Sequence, residues 1–307
     1  MPVPPLDSDK RGADNSRMTR FVAPILLSLL LLGLFGSCRN VLPLQKAEPG
    51  ASAPEKPRPE RFLDAAARGD LARVHELTET DPDLLGAKDA AGWDAVSYAA
   101  WNAHQQVHEY LLQQGAEGNL FTEAALGPWK SFLQRLETNP IGVDSRDTKQ
   151  KATPLIWAVR TGNQAGCEVL LSRGADVLAR DRDGNSVVHH AALMNQLELL
   201  DFLLSAGADA DGANKRGQTA LHLLAEAGDF EGCRLLLDRG ASLNIPDEAG
   251  NTPLHIAAER GNLELCEYFL FLGARPSLTN EEGRTARDLA AERGHERIVR
   301  LLEAQGL

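Results

Sequence analysis

The 307-residue chain has no G-x-S-x-G, no H-E-x-x-H, no glycine-rich phosphate loop and no clustered Cys/His pattern. Those absences remove the sequence signs of acyl transfer, zinc-dependent hydrolysis and nucleotide binding. Positive charge is short as well, with 32 Lys and Arg against 43 Asp and Glu and a formal net charge of -11. Residues 1–58 hold eight Lys and Arg against five Asp and Glu, so the rest of the chain carries -14. So acidic a body is a poor phosphate binder, which argues against nucleic acid as a partner. Aromatic residues are only 5% of the chain, which suits helices packed through alanine and leucine. No apolar run reaches a full span: Phe21 to Gly36 falls short of the ~18 residues expected of a membrane-crossing helix.

What the chain does have is a repeated stretch. Gly250 to Gly261 reads G-N-T-P-L-H-I-A-A-E-R-G. Gly250 suits a turn tip with positive φ. Thr252 suits a helix N-cap, and Pro253 the first helical position, where no N–H is needed. Leu254, Ala257 and Ala258 fall at helical spacing, and Gly261 stops the helix after about two turns. So short a helix needs a partner on its apolar side. A step of ~33 residues links Thr252 to Thr219, Ser186, Thr153 and Thr285. The same step links Gly184, Gly217, Gly250 and Gly283, then His189, His222 and His255, and the Gly-Ala pairs at Gly174, Gly207, Gly240 and Gly273.

T-P-L-H at Thr252 to His255, T-A-L-H at Thr219 to His222, T-P-L-I at Thr153 to Ile156, and G-A-D at Gly174 and Gly207 resemble the ankyrin repeat family over roughly 61–307. The resemblance implies an all-α repeat solenoid, a curved stack of helix-turn-helix units with short β-hairpin fingers. It also implies about eight units: 61–88, 89–119, 120–147, 148–180, 181–213, 214–246, 247–279 and 280–307. The first is atypical and shows one polar face to water, as a terminal repeat must. The third is the weakest, because Gly115 to Ala124 is too short for a finger, and Lys151 stands where later units have glycine. A missing finger should leave a notch there. In the last unit, Arg287 and Asp288 replace Leu254 and His255, as suits a cap facing water.

Ahead of the array, Arg17 and Arg20, the apolar run, then Gly36, Ser37 and Cys38 have the three-part layout of a secretory signal. L-F-G-S-C from Leu34 also resembles a bacterial lipoprotein signal, with Phe35 in the usual leucine position. We expect a signal peptide over 1–37, with the true start at Met18, and lipidation of Cys38. An uncleaved anchor facing the cytoplasm and an ordinary cleaved signal are the alternatives. Residues 38–60, with five prolines, read as an extended tether. The expected location is exported and membrane-anchored, facing the periplasm or the cell surface. Cys167, Cys233 and Cys266 share one repeat position, and stacked helices ~8–10 Å apart hold such residues beyond disulfide reach. They read as small buried hydrophobes.

The histidine ladder invites a metal-dependent hydrolase, but its steps are too wide for one ion with ~2.1 Å bonds. The resemblance gives these residues a structural part instead, bonding turn backbone and threonine. Asp181, Asp183, Glu281 and Glu282 read as solvated finger carboxylates. We therefore expect no catalytic residue, no metal and no cofactor, but a monomeric protein that binds another, unidentified protein and touches membrane only through its N-terminus. By the family's register the partner-facing positions are Trp93, Trp101, Lys149, Gln150, Arg160, Arg182, Asn185, Leu193, Met194, Lys215, Arg216, Gln218, Glu248, Asn251, Glu259 and Arg260. Trp93 and Trp101 either are binding hot spots or fill the gap beside the degenerate third unit. Units four to six carry basic residues and units seven and eight acidic ones, which either steers a partner or is ordinary solvated variation.

Overall fold

The computed structural model describes residues 57–138 and 140–305. The expected signal segment, Cys38 and nearly all of the tether lie outside the described residues. Among the described residues there are sixteen α-helices in eight pairs. The pairs are α1 (Arg58–Arg68) with α2 (Leu71–Thr80), α3 (Ala95–Trp101) with α4 (Gln105–Gln113), α5 (Leu120–Leu126) with α6 (Trp129–Thr138), and α7 (Pro154–Arg160) with α8 (Gln164–Ser172). Then follow α9 (Val187–Leu193) with α10 (Leu197–Ser205), α11 (Ala220–Ala227) with α12 (Phe230–Asp238), α13 (Pro253–Arg260) with α14 (Leu263–Phe271), and α15 (Ala286–Glu292) with α16 (Glu296–Glu303). None of these helices is long and apolar enough to cross a membrane. The first helix already takes in Arg58, Pro59 and Glu60, residues that composition alone assigns to the tether.

Each first helix after α1, whose N-cap is Pro57, starts on a side-chain cap. The Ser186, Thr219 and Thr252 hydroxyls face His189, His222 and His255 in reciprocal capping boxes, and Asp288 takes the histidine's place opposite Thr285. Such caps are worth ~1 kcal/mol each, far less than a helix of seven or eight residues needs to stand alone. Stacking supplies the rest. Each first helix packs on the next, α1 on α3, α5 on α7, α11 on α13 and α13 on α15. The alanines at the contact, Ala99 and Ala100, Ala124 and Ala125, Ala191 and Ala192, Ala257 and Ala258, are all buried. Cys167, Cys233 and Cys266 are free and buried.

The fingers between pairs are turns rather than hairpins. Among the described residues the only strand-like pairings are single bridges, Lys88 to Asp94 and Arg180 to Ser186. One Asx residue organises each finger: Asp89, Asp147, Asp181, Asn214, Asp247 and Asn280. In Asp181, for example, Oδ1 accepts from the backbone N–H groups of Asp183 at 2.9 Å and Asn185 at 2.8 Å. Backbone bonds lace successive fingers, Arg182 N to Gln150 O at 2.5 Å, Lys215 N to Asp183 O at 3.0 Å, Glu248 N to Arg216 O at 3.0 Å and Glu281 N to Ala249 O at 2.9 Å.

The third pair departs from this plan. Asn119 caps α5 directly, and the six residues between α4 and α5 form no finger. The finger of the fourth pair lies on that of the second instead. Thr148 Oγ1 donates to Ala91 O at 2.6 Å, Lys149 Nζ to Asp89 Oδ2 at 2.8 Å, and α3 touches α7 directly. The expected notch is therefore closed.

Candidate functional site

The ladder histidines are framework. His189 Nε2 faces Gln218 O at 2.9 Å, His222 Nε2 faces Asn251 O at 3.0 Å, and His255 Nε2 faces Arg284 O at 3.3 Å. A carbonyl only accepts, so Nε2 carries the proton and Nδ1 accepts from the Ser or Thr cap. Both nitrogens of each ring are thus spent, Nδ1 on the cap of its own helix and Nε2 on joining one repeat to the next. Burial holds the imidazoles neutral and pushes His189 down to about 4. Among the described residues no group of three or more His, Cys, Asp or Glu could hold a metal.

A second row, one residue beyond the ladder position, ties fingers to their own helices. Tyr98 O–H donates to Asp89 at 2.8 Å, Trp157 Nε1–H to Asp147 at 3.0 Å, and His190 Nε2–H to Asp181 at 2.9 Å. The later residues at this position, Leu223 and Ile256, carry no donor. Asp181, expected on water, is buried against His190. Burial acts to raise its carboxyl, but the bonds from His190 and the finger backbone outweigh that and hold it low. At Asp89 the same opposition ends at about 2, with Lys149, the Trp93 N–H and Tyr98 as the donors. The sequence signal for this row was a polar or aromatic residue at 98, 157 and 190. It was hidden because the missing finger breaks the 33-residue step between 98 and 157.

The tryptophans take their places from the same event. Trp93 is 4% exposed, so its expected display is corrected: finger four and Trp157 cover it. Trp93 lies 5.1 Å from Trp157 and 5.7 Å from Trp101, ring centre to centre, and the Lys149 ammonium stands 5.2 Å above it. Trp101 is half-buried against Trp157 at 5.0 Å. Arg160 lies over it, with its guanidinium carbon 4.0 Å from the ring centre. Arg160 Nε donates to Trp101 O at 3.0 Å, and Nη1 to His190 Nδ1 at 3.3 Å. Burial draws this guanidinium down to about 10, against the pull of Asp181.

Several other expected display residues also hold the array together. Gln218 is buried, with its carbonyl on His189. Lys149 is held by Asp89 and also bonds Tyr98. Gln150 gives its carbonyl to Arg182 N. Asn185 and Asn251 accept at 3.0 Å from Asn214 and Asn280. Arg260 pairs with Glu226, and Glu259 with Arg293. Exposed, with side chains in no ion pair or hydrogen bond among the described residues, are Arg182, Lys215, Arg216 and Glu248. Leu193 and Met194 are half-buried at the end of α9.

A family profile described as Ankyrin repeats (3 copies) matches residues 123–214, 188–280 and 244–306. Among curated proteins, Ankyrin repeat domain-containing protein 40 of Mus musculus is 31% identical over 101 residues, 33% of this chain and 28% of that protein. Palmitoyltransferase Hip14 of Drosophila melanogaster is 30% identical over 145 residues, 47% of this chain and 19% of that protein. Ankyrin repeat and SAM domain-containing protein 6 of Danio rerio is 30% identical over 148 residues, 45% of this chain and 20% of that protein. The chain thus spans less than a third of each of these relatives.

Proposed function

The chain belongs to the ankyrin repeat family, and from that premise we propose that it is a non-catalytic module that binds another protein, tethered to a bacterial cell envelope by lipidated Cys38. The eight units bounded as above, the first extended back to Arg58 by its helix, are its recognition part, residues 1–37 its export signal and the rest of 38–60 its tether, and it acts as a monomer. Scaffold, inhibitor and adhesin are the forms such a module takes.

One observation carries the binding reading. The polar side chains at the recurring positions are spent on framework, the Ser/Thr caps and finger Asx residues within their own unit and the ladder histidines across to the next. The side chains of Arg182, Lys215 and Arg216 stand at finger tips and hold nothing. Exposed charged groups that do no framework work are what a rigid scaffold offers a partner. The tether rests on the sequence of the N-terminal segment alone, L-F-G-S-C after an uncharged run.

Two experiments test this. Tagged full-length chain is used to purify partners from an envelope extract, with excess untagged chain as competitor. One protein retained in amounts comparable to the bait and displaced by the competitor is expected; nothing displaceable overturns the reading. For the tether, cells are grown with radioactive palmitate. Label on the wild type and none on Cys38→Ala is expected, and an unlabelled wild type contradicts it.

A further inference from the structure

The inner face of the array changes character along its length, and the repeat register shows where. In the C-terminal units this face neutralises itself through pairs 34 residues apart, Arg293 with Glu259 at 2.5 Å and Arg260 with Glu226. One step back along the same register the pair is Ala227 and Leu193, and the next is Met194 and Arg160. The ion-pair ladder is thus replaced by an exposed Ala227 and by Leu193 and Met194, both half-buried. Below them Arg160 is held over Trp101 by its own bond to the Trp101 carbonyl, so its charge is fixed to the ring rather than free to seek a carboxylate.

Above this apolar stretch stand the tips of fingers four, five and six. They carry Lys151, Arg182, Lys215 and Arg216, all exposed and none in an ion pair among the described residues. The tips are bound edge to edge by Arg182 N to Gln150 O and Lys215 N to Asp183 O, so the cations are held side by side. Asp183 is exposed among them, and Glu248 follows on the next tip. In a protein with a net charge of -11, an unneutralised basic strip bordering an apolar step is not set by average composition. Stacking needs neither feature, since the neighbouring units build the same contacts with paired charges.

We propose that this surface, from Trp101 to Met194 beneath the basic finger tips, docks an acidic segment of a partner protein that carries an aromatic or large aliphatic anchor. The anchor sits on Leu193 and Met194 beside Trp101, and the acidic side chains face Arg182, Lys215 and Arg216. Opposite charge accounts for orientation and speed of encounter, and the apolar contact for retention. The proposal rests on the binding reading above and names the chemistry of its partner.

The test is a phage-displayed random-peptide library panned on the immobilised full-length chain, with the enriched peptides then synthesised and titrated by fluorescence anisotropy. Peptides with net negative charge and an apolar anchor are expected to dominate. The triple variant Arg182→Glu, Lys215→Glu, Arg216→Glu is expected to weaken them at least tenfold. A second triple, Arg173→Glu, Arg275→Glu, Arg297→Glu, makes the same change of net charge at exposed arginines elsewhere and is expected to alter affinity less than twofold. Equal loss in both triples would reduce the effect to net charge and overturn the site. Enriched peptides that are basic, or that bind the first triple unchanged, overturn the proposal while leaving a binding module in place. No enrichment at all overturns both. Circular dichroism melts confirm that each variant is folded.

Discussion

Lys149 Nζ lies 2.8 Å from Asp89 Oδ2, joining fingers whose residues are sixty apart in sequence. Elsewhere neighbouring fingers bond over about half that separation, as Lys215 does to Asp183. The pair exists because the third unit lacks a finger, and the fourth finger closes on the second. The ammonium also serves Tyr98 and covers Trp93, so one side chain seals the place where the repeat pattern fails.

Replacing Lys149 with Met leaves a partly buried carboxylate that has lost its strongest donor. Lys149→Met is expected to cost ~1–3 kcal/mol in urea unfolding. Asp89→Asn together with Lys149→Met should cost less than the sum of the two single changes, by ~1 kcal/mol or more. Additive losses would show that the contact does not bear on stability.

Finger glycines separate close packing from backbone strain. Gly217 has φ +70°, and an added Cβ would stand 2.6 Å from Glu248 N. Gly283 has φ +74° in the last finger, with nothing within 4 Å of an added Cβ. Gly283→Ala should therefore cost only the left-handed backbone penalty, ~1–2 kcal/mol. Gly217→Ala should cost more, because the next finger must move away. Equal thermal shifts for the two variants would contradict the lacing of the fingers.

Much of the fold was legible in the sequence because its framework repeats. Thr252, His255, Ala257, Ala258 and Gly261 each do the same job in several units, and one period exposes them all. The surface was less legible, since a display position is defined only by register and register says nothing of what comes to lie on top. Trp93 sits at an outward position in its own unit and is buried by a finger that arrives 55 residues later. Asp181 reads like any finger carboxylate until His190, nine residues on, is seen to reach it. Such contacts depend on packing across units, and the missing third finger shifts exactly that packing out of step with the period.

Acid should weaken the array before it protonates carboxylates. His189, His190, His222 and His255 are all lowered, first of all by burial. The unfolded chain takes up protons at these residues below pH ~6.5, while the folded chain resists until lower pH, about 4 for His189. Unfolded protein then binds more protons, so stability falls as pH drops through this window, by up to ~1.4 kcal/mol per pH unit for each histidine. Above pH ~6.5 these groups contribute no pH dependence. Urea midpoints measured at pH 7.5, 6 and 5 should decline; a flat profile would show that the imidazoles are not held neutral.

The framework thiols should be silent in the native protein. Burial pushes Cys167 and Cys266 up to about 12 and raises Cys233 as well. The thiolate is the reactive form. An aromatic disulfide reagent should find none of Cys167, Cys233 and Cys266 in folded protein, and all three after denaturation. Rapid reaction of any of the three in native conditions would mean that the helix pairs open.

The most direct test of the central claim is site-specific photo-crosslinking in cells, with a benzophenone amino acid placed at Arg216 in one full-length variant and at Arg297 in another. Both positions are exposed, and only the first belongs to the proposed docking surface. A discrete adduct with one acidic partner protein at position 216 and none at 297 is the predicted result. No adduct at 216, or the same adduct from both positions, would contradict it.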